Sequence, residues 1–288
     1  MSEKRYCSEA CSESMAGTSD VVDVWLLLEY RPAWKSKALA ASDLAQPTKL
    51  WVQKTVDSLA ERGLKVRPQL IRRPELDTEQ VRLLIAWDQA VWEFSGNGYD
   101  FLQDLDLASW LAAGPGQSPL AAARKLSRPR YFVCTNGQRD LCCARFGLPV
   151  YNALRESVGD RVWQVSHLGG HRFAPNILVL PDAVMYGRVN PETLHEFVSV
   201  VESGKVAFAH LRGRSRYPKH VQAAEAFLGK DELRLLHVDG DAEAAAVTFA
   251  MPGGQAKVQV ELAETRRVLA SCGDDALSEV AGYRAGRQ

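Results

Sequence analysis

Cysteine and histidine residues are concentrated in two short segments in the middle of this 288-residue chain. The first, Cys-Thr-Asn-Gly-Gln-Arg-Asp-Leu-Cys-Cys, runs from Cys134 to Cys143. In the second, His167 and His171 flank Leu-Gly-Gly, and glycines let a backbone fold closely around a bound group. Two thiolates and two imidazoles suit zinc or an iron–sulfur centre, and the residue types alone leave both metals open.

Two other interpretations of these residues remain. Adjacent cysteines and a His-x-x-x-His pattern also occur as buried structural residues without a metal. Alternatively, Cys134 or Cys143 is a redox-active thiol, activated by a helix N-terminus and a histidine, as in a thiol oxidoreductase. Eight residues separate these two cysteines, unlike the Cys-x-x-Cys of a thioredoxin-type dithiol. Metal binding accounts for both segments together, so we expect a metal site.

The apolar pattern around these segments predicts the elements that position them. In chain order it predicts a strand over 131–134, a helix with Phe146, Val150, Leu154 and Val158 on its apolar face, a strand over 162–166, a hairpin of 177–180 with 184–189, and a helix that starts at Asn190 and Pro191. We expect Pro149 in the first turn of the first helix. The order β-α-β-β-β-α is that of a minimal thioredoxin-like core, and ligands bind at the carboxyl edge of such sheets.

The first half of the chain repeats this order, which predicts a second thioredoxin-like unit. Strands are predicted over 22–28, 66–71, 83–87 and 91–95, and helices over 48–62 and 105–112. No cysteine ends the first strand of this unit, so it lacks the equivalent site. Gly114 to Pro119 has the composition of a linker.

After residue 210 the pattern changes to a basic stretch, a helix near 221–228 and three strand-like segments, with a Pro252-Gly253-Gly254 turn between the last two. We interpret this part as a packed helix-plus-small-sheet extension, rather than a winged-helix module, with the basic stretch as a solvated face. The predicted fold class is therefore α/β with a thioredoxin-like core, duplicated in the first half of the chain, and this C-terminal extension. The predicted domains are an N-terminal α/β domain (1–125), the domain with the four candidate metal ligands (126–210) and a C-terminal α+β extension (211–288).

Composition and charge exclude several classes of function. Thirty-five basic residues balance 35 acidic ones, so no overall field attracts nucleic acid or an anionic membrane. The first 20 residues lack the apolar stretch of a secretion signal, and no apolar run reaches bilayer-spanning length. We expect a cytoplasmic protein, in which six cysteines serve chemistry or burial rather than a disulfide scaffold.

The two central motifs, Cys-Thr-Asn-Gly-x-Arg-Asp-x-Cys-Cys and His-x-Gly-Gly-His-Arg-Phe-Ala-x-Asn, resemble the sucrase/ferredoxin-like family, also described as thioredoxin-like ferredoxins. Weaker similarity extends from Gly17-Thr18 to Ser271-Cys272-Gly273. The resemblance implies a thioredoxin-like ferredoxin core that holds a [2Fe-2S] cluster, with one iron on Cys134 and Cys143 and the other on His167 and His171. Relatives with Cys-x-His-Gly have a histidine where this chain has asparagine, so a role for that histidine does not transfer.

The residues around these ligands are less well determined by the sequence. Either cysteine of the pair could reach the iron, although Cys143 matches the ligand position of the family. The candidates for shaping the ligand loops are Cys142, Arg139, Asp140, Arg172 and Asn176. We expect structural roles for Cys7 and Cys11, and Cys272 has only the family pattern behind it.

The function expected from these observations is one-electron transfer or redox sensing. A glycosidase needs a pair of carboxylates, and none stands out, so we do not expect a sucrase. No glycine-rich dinucleotide fingerprint is present, which implies a separate reductase or electron acceptor. The rival interpretation is a zinc-stabilised binding or regulatory module whose basic C-terminal part contacts a partner or nucleic acid.

Overall fold

Four strands and two helices make up most of the N-terminal half of the computed structural model, which describes residues 6–76, 78–114 and 123–287. They are β1 (Val24–Glu29), α1 (Gln46–Ala60), β2 (Val66–Arg72), β3 (Gln80–Trp87), β4 (Ala90–Asn97) and α2 (Leu107–Ala113). Strand β1 pairs in parallel with β2 and antiparallel with β3, and β3 pairs antiparallel with β4. The sheet order β2-β1-β3-β4 is that of a thioredoxin-like unit.

The central part of the chain repeats this topology. Its elements are β5 (Arg124–Leu126), β6 (Arg130–Cys134), α3 (Leu141–Val158), β7 (Val162–Val165), β8 (Asn176–Leu180), β9 (Val184–Gly187) and α4 (Leu194–Glu202). Strand β6 is parallel to β7 and antiparallel to β8, and β8 is antiparallel to β9. The order β7-β6-β8-β9 confirms the thioredoxin-like core, and its recurrence in both halves confirms the duplication.

The two units form one continuous sheet because strand β2 of the first unit pairs with strand β7 of the second. Ile71 of β2 lies opposite Val165 of β7, in antiparallel register. With β5 on β4 and β10 (Leu211–Arg214) on β9, the described residues form a sheet of ten strands, in the order β10-β9-β8-β6-β7-β2-β1-β3-β4-β5. The predicted domain boundaries at 125 and 210 stay predictions. Beyond Gly114, the predicted linker lies outside the described residues.

Successive side chains of the buried strands alternate between the two faces of the sheet, and both faces are covered. In β1, Val24, Leu26 and Leu28 belong to the apolar cluster that includes residues of α1 and α2. The intervening Trp25 and Leu27 belong to a second cluster, on the opposite face, which also contains residues of the central unit such as Phe132, Trp163 and Leu178. The two thioredoxin-like units therefore share a hydrophobic core.

Helix α3 begins earlier than the proline rule predicts. Pro149 lies inside the helix, so its predicted position in the first turn was wrong. The helix starts at Leu141 because the side chain of Asp140 caps it, accepting a hydrogen bond from the Cys142 N–H at 2.9 Å. This earlier start puts Cys142 and Cys143 in the first helical turn.

The C-terminal part is the helix-plus-small-sheet extension that the pattern predicted, with more strands. Its elements are α5 (Lys219–Leu228), β11 (Arg234–Gly240), β12 (Ala244–Met251), β13 (Gly254–Leu262), β14 (Arg266–Val268), β15 (Ser278–Val280) and β16 (Tyr283–Arg287). A four-stranded sheet has the order β11-β12-β13-β16, and β14 pairs with β15. Val221 of α5 packs with Val247 and Phe249. Within the described part of the chain, no helix combines the length and apolar character needed to cross a bilayer.

Candidate metal centre

The four predicted ligands meet at the carboxyl edge of β6 and β7. Cys134 is the last residue of β6 and lies opposite Val165 of the parallel strand β7, so the loop after β7 carries His167 towards it. The first turn of α3 brings back Cys143. Both cysteines are buried, whereas His167 and His171 are partly exposed. The structure thus brings together residues that are far apart in sequence.

The donors are arranged as a sulfur pair and an imidazole pair. The Sγ atoms of Cys134 and Cys143 lie 3.5 Å apart. The rings of His167 and His171 stack with centroids 4.9 Å apart and an interplanar angle of 30°. The Sγ of Cys143 lies 3.3 Å from Nδ1 of His171, which joins the two pairs. Soft sulfur and borderline nitrogen donors in one group are typical of transition-metal sites.

The electrostatics of the site favour the metal-binding protonation states of Cys134 and His171, whereas Cys143 is held as a neutral thiol that loses its proton when a metal binds. Hydrogen bonding with Cys143, with His167 and with the N–H of Leu168 holds the pKa of Cys134 well below its usual range. The hydrogen bond between Cys134 and Cys143, together with burial, raises the pKa of Cys143. Burial lowers the pKa of His171, which favours its neutral form. A thiolate and a neutral imidazole are the forms that bind metals.

One nitrogen in the site lacks a partner. The Nδ1 atom of His167 is buried and has no hydrogen-bond partner among the described residues. Buried polar atoms are nearly always satisfied, because leaving one unpaired costs about 1–3 kcal/mol. A bond to a metal would satisfy the imidazole. The residues present therefore fit a metal-bound group.

Close packing of α3 against β6 depends on Gly147. A Cβ atom at this position would collide with the backbone carbonyl oxygen of Cys134, which cannot move without shifting the strand. We therefore expect Gly147→Ala to lower the free energy of unfolding by about 1–3 kcal/mol, as overpacking does. Urea denaturation measures this, with Gly282→Ala as control, because nothing lies within 4 Å of a Cβ there. Equal stability of the two variants would contradict the packing argument.

The side chains of Asn176 and Arg212 form hydrogen bonds with the backbone of the loop that carries His167 and His171. Gly169 and Gly170 have left-handed backbone conformations, with φ of +80° and +69°. The Nδ2 atom of Asn176 donates to the carbonyl of Gly170 at 2.9 Å. Arg212 donates from Nη1 to the carbonyl of Gly169 at 2.9 Å and to Oδ1 of Asn176 at 2.7 Å. Asn176 thus helps to position the histidine loop.

Arg212 is a site residue that the sequence analysis missed. Its side chain is buried, with 2% of the residue exposed, and it also donates to the carbonyl of Thr18 at 2.7 Å. Burial lowers its pKa to about 10. Arg214 is paired with buried Glu225, so the expectation of a solvated basic face was wrong for both arginines. No local signal separates Arg212 from an exposed arginine, since Asn176, Gly169 and Thr18 are 36, 43 and 194 residues away.

The other candidate residues lie further from the four ligands. Arg139 is exposed, and Asp140 binds the C-terminal segment, accepting from Ser271 Oγ at 2.7 Å and the Cys272 N–H at 2.9 Å. Arg172 forms an ion pair with Glu13, so it braces the histidine loop against the N-terminal segment.

Cys142 points away from Cys143, towards Cys7 and Cys272. Hydrogen bonds from Cys7 and Ser8 lower the pKa of Cys142 to about 6. Cys11 lies apart from this group, with its sulfur 3.0 Å from Arg188 Nη2. The structure thus gives the two adjacent cysteines of α3 different partners.

Fold and site define a class of protein: a duplicated thioredoxin-like α/β protein with a Cys2His2 donor set on one unit. The chain belongs to the sucrase/ferredoxin-like family, since the profile described as Sucrase/ferredoxin-like matches residues 15–213.

Curated relatives share shorter segments. Altered inheritance of mitochondria protein 32 from Candida glabrata is 28% identical over 97 residues, which cover 28% of this chain and 31% of that protein. Its namesake from Debaryomyces hansenii is 36% identical over 70 residues, covering 21% of this chain and 26% of that protein. The chain therefore matches about a third or less of the length of these relatives.

Solved structures of a thioredoxin-like [2Fe-2S] ferredoxin from Aquifex aeolicus also match. One is 21% identical, with a TM-score of 0.29, and the match covers 32% of this chain and 97% of the ferredoxin. A cysteine-to-serine variant of that ferredoxin is 22% identical, with a TM-score of 0.26 and coverage of 29% and 96%.

Proposed function

We propose that this protein carries one [2Fe-2S] cluster and serves in one-electron transfer or redox sensing. One iron would be held by Cys134 and Cys143, and the other by His167 and His171. The observation that carries the proposal is the division of the donors into a sulfur pair and an imidazole pair at one sheet edge. That division matches a cluster with two chemically different irons.

The spacing of the donors favours two metal ions over one. Among the described residues, the group of donors that all lie within 4.8 Å of one another is Cys7, Asp140, Cys142 and Cys272, and not the predicted set. A single tetrahedral zinc with bonds of about 2.0–2.3 Å holds its ligand atoms less than about 4 Å apart. The more widely spread Cys2His2 set therefore suits a two-iron cluster better than a structural zinc.

The cluster, when bound, supplies reversible one-electron chemistry, and the side chains of this protein tune it. Two neutral imidazoles in place of two thiolates remove about two negative charges from the site, which raises the reduction potential. Burial of Cys134 and Cys143 shields the sulfur pair from water, while the partly exposed His167 and His171 face the surface. Electrons would therefore enter and leave on the histidine side, from a separate reductase to a separate acceptor.

An absorption spectrum with metal analysis tests the proposal. Protein purified without oxygen should be coloured and contain about two irons and two sulfides per chain. The spectrum should bleach partly when dithionite is added, because reduction adds an electron to the cluster. A colourless protein with one zinc at Cys134, Cys143, His167 and His171 would refute the proposal and support the zinc-stabilised regulatory module.

A further inference from the structure

A second group of thiols lies beside the first turn of α3, on the side away from the predicted cluster. The Sγ of Cys142 is 3.5 Å from that of Cys7 and 3.1 Å from that of Cys272, and Cys272 is 3.6 Å from Cys7. A carboxylate oxygen of Asp140 completes a set of four donors within 4.8 Å of one another. Three remote parts of the chain therefore converge on one point.

The triangle of sulfurs has the dimensions of a site for one ion. A tetrahedral zinc with Zn–S bonds of about 2.3 Å places its sulfurs about 3.8 Å apart, close to the observed separations. A disulfide would join two of these sulfurs at about 2.05 Å and leave the third without a partner. Three thiols at nearly equal distances fit a shared ion better than one disulfide.

The surroundings hold these donors in place. The carboxylate of Asp140 accepts from the N–H groups of Cys142 and Cys272 and from the hydroxyl of Ser271. Oδ1 of Asp140 lies 3.9 Å from Sγ of Cys7, and Ser8 Oγ lies 3.2 Å from Sγ of Cys142. Hydrogen bonds of this kind around a metal site orient its ligands.

The thiol group is shielded from water but can be reached from it. Cys7 and Cys142 are buried in a small apolar cluster with Ala174, against which Phe146 and Leu269 pack. Cys272 is partly exposed. The cluster keeps competing water away from two sulfurs, while the third gives an ion a path of entry.

We propose that Cys7, Cys142 and Cys272 bind one soft divalent cation of the Zn²⁺ class, with the Asp140 carboxylate as the fourth ligand. Because the three cysteines bind the ion as thiolates, any proton still on their sulfur atoms is released to solvent when the ion binds. The ion cross-links the N-terminal segment, α3 and the C-terminal segment. This site uses none of the four residues assigned to the [2Fe-2S] cluster.

Zinc content measures the site directly in the full-length chain. In a Cys134→Ser/Cys143→Ser double variant, which lacks both thiolates of the first centre, we expect one tightly bound zinc per chain after incubation with Zn²⁺ and desalting. Adding Cys7→Ser or Cys272→Ser to the double variant should lower the bound zinc per chain at least tenfold. Adding Cys11→Ser should not, because Cys11 contacts Glu13 and Arg188 instead.

Co²⁺ added to the double variant gives an independent readout in a protein with all three thiols intact. Intense thiolate-to-Co²⁺ charge-transfer absorption in the near ultraviolet would support the site. Its absence, a disulfide between two of the three cysteines, or unchanged zinc content after Cys272→Ser would overturn the proposal. Circular dichroism shows whether each variant is folded.

Iron and sulfide measured on the wild-type chain separate this proposal from the proposed function. Zinc bound at the three thiols in a chain without iron would refute only the cluster. A [2Fe-2S] cluster in a chain whose double variant binds neither Zn²⁺ nor Co²⁺ would refute only the second site.

Discussion

Replacing Cys143 by serine is expected to remove the cluster, whereas replacing its neighbour Cys142 is expected to leave it bound. The Sγ of Cys143 lies 3.5 Å from that of Cys134, where an iron shared by these two cysteines would need it. The Sγ of Cys142 lies 3.1 Å from that of Cys272 instead. The two substitutions change the same atom type at adjacent positions, so each controls for the other.

Iron per chain and visible absorbance report the outcome. We expect both to fall at least tenfold in Cys143→Ser and in Cys134→Ser, and to stay near the wild-type value in Cys142→Ser. Helical circular dichroism should persist in all three, because the apolar faces of α3 and the sheet do not depend on a metal. Loss of iron in Cys142→Ser, with a normal spectrum in Cys143→Ser, would reverse the ligand assignment.

Removing the side chain of Arg212 should both destabilise the fold and release the histidine loop. Its guanidinium donates to the carbonyls of Thr18 and Gly169 and to the side chain of Asn176. Arg212→Ala leaves one buried acceptor, Asn176 Oδ1, and two partly buried carbonyls without this donor, and an unpaired buried group costs about 1–3 kcal/mol. We expect the free energy of unfolding to fall by roughly 3 kcal/mol, and cluster retention to fall with it.

Urea denaturation and iron content test this prediction together. Lysine keeps the positive charge but lacks the planar set of donors of a guanidinium. The free energy of unfolding and the iron content of Arg212→Lys should therefore lie between those of wild type and Arg212→Ala. Arg139→Ala, at an exposed position of the cysteine loop, should change stability by less than about 0.5 kcal/mol. An Arg212→Ala protein as stable as Arg139→Ala would show that the loop is held by other contacts.

The amino-acid sequence by itself determined the elements and their order in both thioredoxin-like units. Strands such as β1 and β6 are continuous apolar runs, and the apolar positions of α3 recur every four residues, because burial follows the period of each element. The types and spacing of Cys134, Cys143, His167 and His171 also sufficed to predict a shared site. They follow the carboxyl ends of neighbouring strands, where topology brings side chains together.

Two local sequence signals, Pro149 and Asp140, indicate different starting points for α3. Pro149 is suited to a first turn, but Asp140 caps the helix further upstream, and the helix continues through the proline. Successive helical residues point about 100° apart, so the earlier start sends Cys142 and Cys143 to different sides of the same turn. Their separate partners follow from that helical phase.

The burial of Arg212 and the grouping of Cys7, Cys142 and Cys272 depend on the tertiary structure alone. Arg212 is buried only because the segment with Thr18 and the histidine loop pack on either side of it. Cys7, Cys142 and Cys272 meet across separations of 130 and 135 residues, although nothing in their local sequences distinguishes them from isolated structural cysteines. Such contacts depend on how remote segments of the chain pack together, and the periodicity and spacing of residues within one segment carry no information about that packing.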